Sequence, residues 1–287
     1  MEFGPIAVIG AGTLGWQIAL TFAARGVTVR LHDASAETLE QALARIGREA
    51  QGLTDAGVLP AEAAGAAERL VPAGSLAEAV EGVWLAIEAI PERLEAKREL
   101  FTELSRLAGP EVILATNSSS FRSRLLAEAT LHPERLLNTH FYGEPWRRSA
   151  VELMTCGATD PPHLERVADF MTVCGLTPFV VRGESTGFIF NRIWRAIKRE
   201  SLRVVAEGHA TPEEVDRLWC LVMESAPGPF ARMDRVGLDV VLDIERRYAA
   251  ESGDPDDDPP ALLVELVERG MLGVKSGRGF YEYGVED

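Results

Sequence analysis

Cysteine is scarce in this chain of 287 residues: Cys156, Cys174 and Cys220 stand far apart, in no ligand-type spacing. Three scattered thiols exclude a disulfide framework and a thiolate metal centre, and fit a reduced, cytoplasmic compartment. No apolar run approaches the ~20 residues that a membrane helix needs. The start of the chain has neither a basic segment nor a small-residue cleavage site, so a cytoplasmic, membrane-free protein is expected. Positive charge is also in deficit, with 29 Lys+Arg against 44 Asp+Glu and a net charge of −15. No basic stripe stands out, which argues against a nucleic-acid partner or an anionic membrane surface. The acidic run Asp254-Pro255-Asp256-Asp257-Asp258 reads as a solvated loop rather than a metal site, and no metal is expected elsewhere.

What is present is ordinary for a globular protein, with 46% hydrophobic and 25% charged residues, and the length allows one large domain or two modest ones. Apolar runs at Ile6–Ile9, Val27–Leu31, Val83–Ile90, Val112–Ala115, Asn138–Phe141, Val151–Thr155 and Thr177–Val181 read as strands. Helical periodicity falls between them, after Gly15, over Ser35–Arg69 with a break near Gly57 and Pro60, over Glu92–Leu107 and over Pro161–Cys174. The alternation predicts an α/β fold with a mostly parallel, doubly wound sheet. Beyond Arg182-Gly183-Glu184-Ser185 only helices are expected, over Gly187–Gly208, Thr211–Ser225, Pro229 to about Ala250, and Pro259–Arg269, before a glycine-rich tail. Thr211-Pro212-Glu213-Glu214 has the form of a capping box with proline at the first helical position. Two domains follow: residues 1–183, a Rossmann-type dinucleotide-binding domain, and residues 184–287, all-α.

The segment Gly10-Ala11-Gly12-Thr13-Leu14-Gly15 leaves a strand and opens a helix, and Asp33 ends the second strand 18 residues after Gly15. In such a turn Gly10 permits the tight bend, Gly12 lets a pyrophosphate approach the backbone, and Gly15 allows close helix–strand packing. Thr13 and Leu14 complete the helix N-terminus, whose N–H groups face the anion. Asp33 suits the adenine ribose hydroxyls and repels a 2′-phosphate, so NAD is expected rather than NADP. A bare G-x-G-x-x-G leaves an ordinary glycine turn, a flavin site or an S-adenosylmethionine site open. Downstream, Asn117-Ser118-Ser119-Ser120, Asn138-Thr139-His140-Phe141-Tyr142 and Val151-Glu152-Leu153 bring hydroxyl, imidazole and carboxylate groups to strand ends. An imidazole there suits proton transfer at neutral pH. Taken singly, His140 reads more readily as a structural histidine, Glu152 as a surface acid and the serine run as a turn.

Taken together, these motifs resemble the 3-hydroxyacyl-CoA dehydrogenase family, of the 3-hydroxybutyryl-CoA dehydrogenase-like kind, over nearly the whole length. The similar segments are Gly10–Gly15, Glu88-Ala89-Ile90-Pro91-Glu92 with Lys97, Asn117–Ser120, His140-Phe141-Tyr142 and Val151-Glu152. They continue through Gly187-Phe188-Ile189-Phe190-Asn191-Arg192, Gly228-Pro229-Phe230 and Gly277-Arg278-Gly279-Phe280-Tyr281. The resemblance implies an NAD-dependent oxidoreductase that interconverts a 3-hydroxyacyl thioester and its 3-oxo form. It makes His140 the acid/base, Glu152 its orienting partner, and Ser119 and Asn191 the donors to the substrate oxygen. It sets Glu92 and Lys97 near the cofactor ribose and nicotinamide, where a salt-bridged helix start is the competing reading, and adds Asn117 to the cofactor residues. It also implies a homodimer formed through the helical domain.

Two stretches depart from the family pattern. An Asn-Pro usually follows the His-aromatic-aromatic run, but here Gly143-Glu144-Pro145-Trp146-Arg147-Arg148-Ser149-Ala150 joins the base to its carboxylate. Trp146 is a candidate to stack on a substrate ring or acyl group, and Arg147 and Arg148 to pair with a carboxylate or phosphate. An exposed loop with solvated arginines is the alternative. Trp16-Gln17 follows Gly15 where small residues are usual. The same chemistry on another substrate is therefore open: an acyl-carrier-protein thioester, a polyketide-like ketone or a free hydroxy acid. A catalytically silent NAD-binding homologue is the further alternative.

Overall fold

The computed structural model describes residues 3–284. The chain divides into two compact units, Met1–Ile189 and Phe190–Asp287, the division falling six residues beyond Gly183.

In the first unit, β1 (Ile6–Ile9), α1 (Gly15–Ala23), β2 (Val29–His32), α2 (Ala36–Asp55) and β3 (Leu70–Pro72) come in turn. Then follow α3 (Leu76–Val80), β4 (Leu85–Glu88), α4 (Leu94–Leu107), β5 (Ile113–Thr116), α5 (Arg124–Ala127) and β6 (Leu136–Phe141). The unit ends with β7 (Ala150–Thr155), α6 (Pro161–Val173) and β8 (Thr177–Val181). One sheet carries all eight strands in the order β3-β2-β1-β4-β5-β6-β7-β8. The first six run parallel, and β7 turns back against β6 with β8 parallel to it. The doubly wound expectation holds, and β1 and β4 flank the point where the strand order reverses, where ligands bind in such sheets. Both faces are covered: Ile6, Val8, Leu85 and Ile87 pack into one apolar cluster, and Ala7, Ile9 and Ala86 into the other. That explains the unbroken apolar runs of β1 and β4, since a strand buried on both faces shows no polar alternation. The helical stretch expected over Ser35–Arg69 is broken where expected, near Gly57 and Pro60: α2 stops at Asp55, and the part beyond the break is a 3-10 helix over Ala61–Arg69.

The second unit is helical: α7 (Phe190–Ala206), α8 (Pro212–Met223), α9 (Pro229–Val236), α10 (Leu238–Ser252) and α11 (Ala261–Glu268). The single helix expected from Pro229 to Ala250 is two, because Gly237, at φ +101°, cannot continue an α-helix. Thr211 and Glu214 form the expected capping box at the head of α8. Buried carboxylates tie this unit together. Asp216 accepts from the Phe230 and Ala231 amides and the Tyr281 hydroxyl, and Asp234 from the Phe280 and Tyr281 amides and the Tyr283 hydroxyl. Glu245 takes Arg195 at 3.1 Å and Lys198 at 2.8 Å. The acidic run read as a solvated loop is partly an anchor, with Asp257 paired to Arg195 and Arg199 of α7.

Candidate active site

The turn after β1 is built around three glycines with different duties. A Cβ on Gly10, itself at φ +101°, would stand 2.7 Å from the Ala89 carbonyl oxygen, and one on Gly15 only 1.8 Å from the carbonyl oxygen of Gly10. These two positions are closed by the protein's own backbone. A Cβ on Gly12 would meet nothing within 4 Å, so its bareness serves no internal contact and leaves room for a ligand. From the end of β2, Asp33 accepts the Ala11 amide at 2.8 Å and the Ser35 amide at 2.9 Å, bracing the turn against the strand end. Thr13 and Leu14 precede α1 as expected. An open glycine at the head of a helix, flanked by a carboxylate, fits the pyrophosphate and ribose of a dinucleotide.

The ends of β4 and β5 are joined by a polar network. Buried Lys97 of α4 donates to Glu88 Oε1 at 2.6 Å and to the Ile90 carbonyl at 3.2 Å, and lies 3.2 Å from Glu92 Oε2. Thr116 donates to the other oxygen of Glu88 at 2.6 Å. Burial pushes the Glu88 carboxyl up, against the pull of Lys97, Thr116 and the Ile90 amide. Burial also works against charge on Glu92, but Lys97, the Ser118 hydroxyl and the Ser120 amide outweigh it and hold its carboxyl below the usual range. Glu92 accepts from the Ser118 hydroxyl and, at 2.9 Å, from the Ser120 amide. Exposed Ser119 therefore stands between two residues pinned by one carboxylate. Asn117 accepts the Phe141 amide at 2.9 Å, fastening the serine turn to the end of β6. Lys97 and Glu92 are thus engaged inside the protein as the salt-bridged helix start foresaw. Glu88 and Thr116 had no role assigned from sequence, although an acid ending an otherwise apolar strand was a signal.

His140 and Glu152 are opposite one another across the antiparallel β6–β7 pair, which accounts for their 12-residue spacing. His140 Nδ1 lies 3.0 Å from Glu152 Oε2, and both side chains are almost wholly buried. The Tyr142 hydroxyl donates to the same Oε2 at 2.6 Å, and the Ile189 amide to Oε1 at 2.8 Å. Phe188 stacks on the imidazole with ring centroids 4.8 Å apart. It does so from φ +55°, a conformation costly for a residue with a bulky side chain. Its amide donates to the Ser185 carbonyl, and the Ser185 hydroxyl donates back to the Phe188 carbonyl, which keeps it there. Asn191 lies in the first turn of α7, in the second unit.

Two family models match nearly end to end: "3-hydroxyacyl-CoA dehydrogenase, NAD binding domain" over residues 5–185, and "3-hydroxyacyl-CoA dehydrogenase, C-terminal domain" over residues 187–283. The chain belongs to the 3-hydroxyacyl-CoA dehydrogenase family. It is 35% identical over 284 residues to the "Probable 3-hydroxybutyryl-CoA dehydrogenase" of Bacillus subtilis, covering 99% of this chain and 98% of that one. It superposes on the crystal structure of the (S)-3-hydroxybutyryl-CoA dehydrogenase of Ralstonia eutropha with a TM-score of 0.93 and 30% identity, over 99% of this chain and 100% of that one. A more divergent relative is the 5-formyl-3-hydroxy-2-methylpyridine 4-carboxylate 5-dehydrogenase of Mesorhizobium japonicum, 29% identical over 98% of this chain and 91% of that one. As a member of this 3-hydroxyacyl-CoA dehydrogenase family the protein is an NAD-dependent oxidoreductase.

The two departures from the family pattern meet one another. Gln17 of α1 accepts the Glu144 amide at 2.6 Å, and the Trp16 and Trp146 rings pack with centroids 5.8 Å apart. Arg45 of α2 caps the Trp16 ring at 4.2 Å. Trp146, the candidate platform for a substrate ring or acyl group, is partly buried and packs against the core, where the bulk at position 16 gives it a partner within the chain. Arg147 and Arg148 are exposed, and Arg148 donates to the Gly143 carbonyl. No cluster of potential metal ligands occurs among the described residues, and none of their helices is long and apolar enough to cross a membrane.

Proposed function

We propose that the protein reversibly oxidises an (S)-3-hydroxyacyl thioester to its 3-oxo form, with His140 and Glu152 as the acid/base pair. The observation that carries this is the buried 3.0 Å contact between His140 Nδ1 and Glu152 Oε2. With Nδ1 engaged by the carboxylate, Nε2 is the ring nitrogen left to take the hydroxyl proton. Glu152 fixes the ring orientation and compensates the imidazolium once it forms. Ser119, steadied through Glu92, donates to the substrate oxygen, and Asn191 has the same role by resemblance. Gly10, Gly12, Thr13, Leu14, Gly15 and Asp33 would hold NAD, which would supply the hydride acceptor for the carbon bearing the hydroxyl. Glu92, Lys97 and Asn117 support the nicotinamide end by ordering the serine turn.

The test is a panel of ketones followed by loss of NADH absorbance. Turnover of acetoacetyl-CoA is expected. Failure with that substrate, together with turnover of a free carboxylate-bearing or aromatic ketone, would move the substrate from acyl thioesters to free oxo compounds. The protein also acts as a homodimer through its helical unit. On α8, Asp216 faces inward, while Leu218, Leu221 and Val222 form the opposite face and are 64%, 69% and 69% exposed. An apolar helix face this open is the surface that a second copy covers.

A further inference from the structure

The Glu152 carboxylate carries more neutral hydrogen-bond donors than are needed to orient one imidazole. Oε2 is shared between His140 Nδ1 at 3.0 Å and the Tyr142 hydroxyl at 2.6 Å, the shorter contact being to the phenol. Oε1 accepts the Ile189 amide at 2.8 Å. A carboxylate only 3% exposed needs compensation. If the imidazole supplied all of it, the ring would be held as a cation and could not accept a proton from an alcohol. Neutral donors relieve that constraint, since they stabilise the carboxylate without a second charge.

We infer that Tyr142 is a positioning residue that keeps Glu152 ionised beside a neutral His140, and so sets the pH range in which the base can act. This rests on the assignment of His140 and Glu152 as the acid/base pair. The tyrosine ring packs against the imidazole at a centroid distance of 4.7 Å, so its hydroxyl reaches the carboxylate alongside the bond it moderates. Burial, and then the bond to Glu152 and its charge, push the phenol pKa up, keeping Tyr142 a donor throughout the working range.

Charged groups on the neighbouring segments are paired elsewhere or exposed. From β8, Phe179 stands opposite Glu152 in the sheet and is uncharged. The segment before α7 brings the Phe188 ring and the Ile189 amide, and its one acid, Glu184, is paired to Arg124 at 2.8 Å. From the β6–β7 turn, Glu144, Arg147 and Arg148 are exposed. The serine turn and Asn117 carry no charge.

The direction of the effect follows from which state gains more. When His140 is protonated, the ion pair already satisfies Glu152 and the phenol adds little. With His140 neutral, the phenol is a principal support of the carboxylate. Removing it therefore disfavours the neutral-imidazole state, and the proton on the pair becomes harder to lose.

The experiment is Tyr142→Phe, which keeps the ring. The acidic limb of kcat/KM for the oxidation should move up by about one pH unit. KM for NAD should stay near wild type, because the glycine turn and Asp33 are untouched. In parallel, ring 15N resonances of His140, assigned by comparison with His140→Gln, should titrate higher by about the same amount in Tyr142→Phe. That readout needs no substrate. Unmoved limbs and an unmoved His140 titration, or a shift downward, would overturn the proposal. Loss of stability with an unchanged titration would make Tyr142 structural only, which also overturns it. Failure of the acid/base assignment has a different signature: His140→Ala and Glu152→Gln would then retain near-wild-type turnover, whatever the Tyr142 variant does.

Discussion

At the scale of single residues, the dyad and the ribose carboxylate can be tested separately. His140→Ala and Glu152→Gln should each lower kcat by ~10²–10⁴-fold, the usual worth of a positioned acid/base, with NADH affinity nearly unchanged. Loss of less than about threefold at either position would leave no acid/base role for it. Asp33 needs a gentler substitution than alanine, because it also accepts the Ala11 and Ser35 amides that brace the glycine turn. Asp33→Asn removes the charge and keeps an acceptor for one of the two amides, which are held by different carboxylate oxygens, whereas alanine keeps neither. The wild type should bind NADH at least about tenfold more tightly than NADPH, and Asp33→Asn should erode that ratio by weakening repulsion of the 2′-phosphate. A fluorescence titration gives both constants, and equal wild-type affinities would exclude Asp33 as the selector.

At the scale of elements, the strand ends are held by charges that the sheet has buried. Lys97→Met leaves Glu88 in the core without its cation, and breaking such a pair costs about 3–5 kcal/mol. Denaturant unfolding should show this loss, and adding Glu88→Gln should restore part of it. If Lys97→Met instead weakened NADH binding at unchanged stability, the lysine would be a direct cofactor ligand. The pH sign for Glu92 follows from its depressed carboxyl. Its stabilisation is fully present above the unfolded pKa and is lost as pH falls through the folded one. Glu92→Gln should accordingly flatten the acid side of a plot of melting temperature against pH. Much of this architecture is legible in the sequence, since strands buried on both faces are unbroken apolar runs and Thr211–Glu214 announces its helix. The reversal of β7 is not legible there, because the run Val151–Thr155 looks the same in either direction. Nor is the pairing of Trp16 with Trp146, which depends on the fold bringing distant segments together. Glu88 sits in a recognisable motif, but only the packing of α4 over β4 reveals what its charge answers.

At the scale of the whole molecule, the outward face of α8 carries the remaining prediction. Leu221→Asp should shift a dimer to monomer in light scattering while leaving helix content unchanged, because Asp216 anchors α8 from the other side. A wild type that is monomeric at micromolar concentration would remove the basis for a dimer. The glycine turn has a different kind of consequence, one for heredity. A side chain at position 10 or 15 would collide with backbone, whereas at position 12 it would meet nothing of the protein itself. Gly12→Ala should yield a normally folded, normally melting protein that has lost the dinucleotide. A gene carrying that change would go on producing a stable polypeptide invisible to quality control, its fault exposed only when flux through the reaction is required.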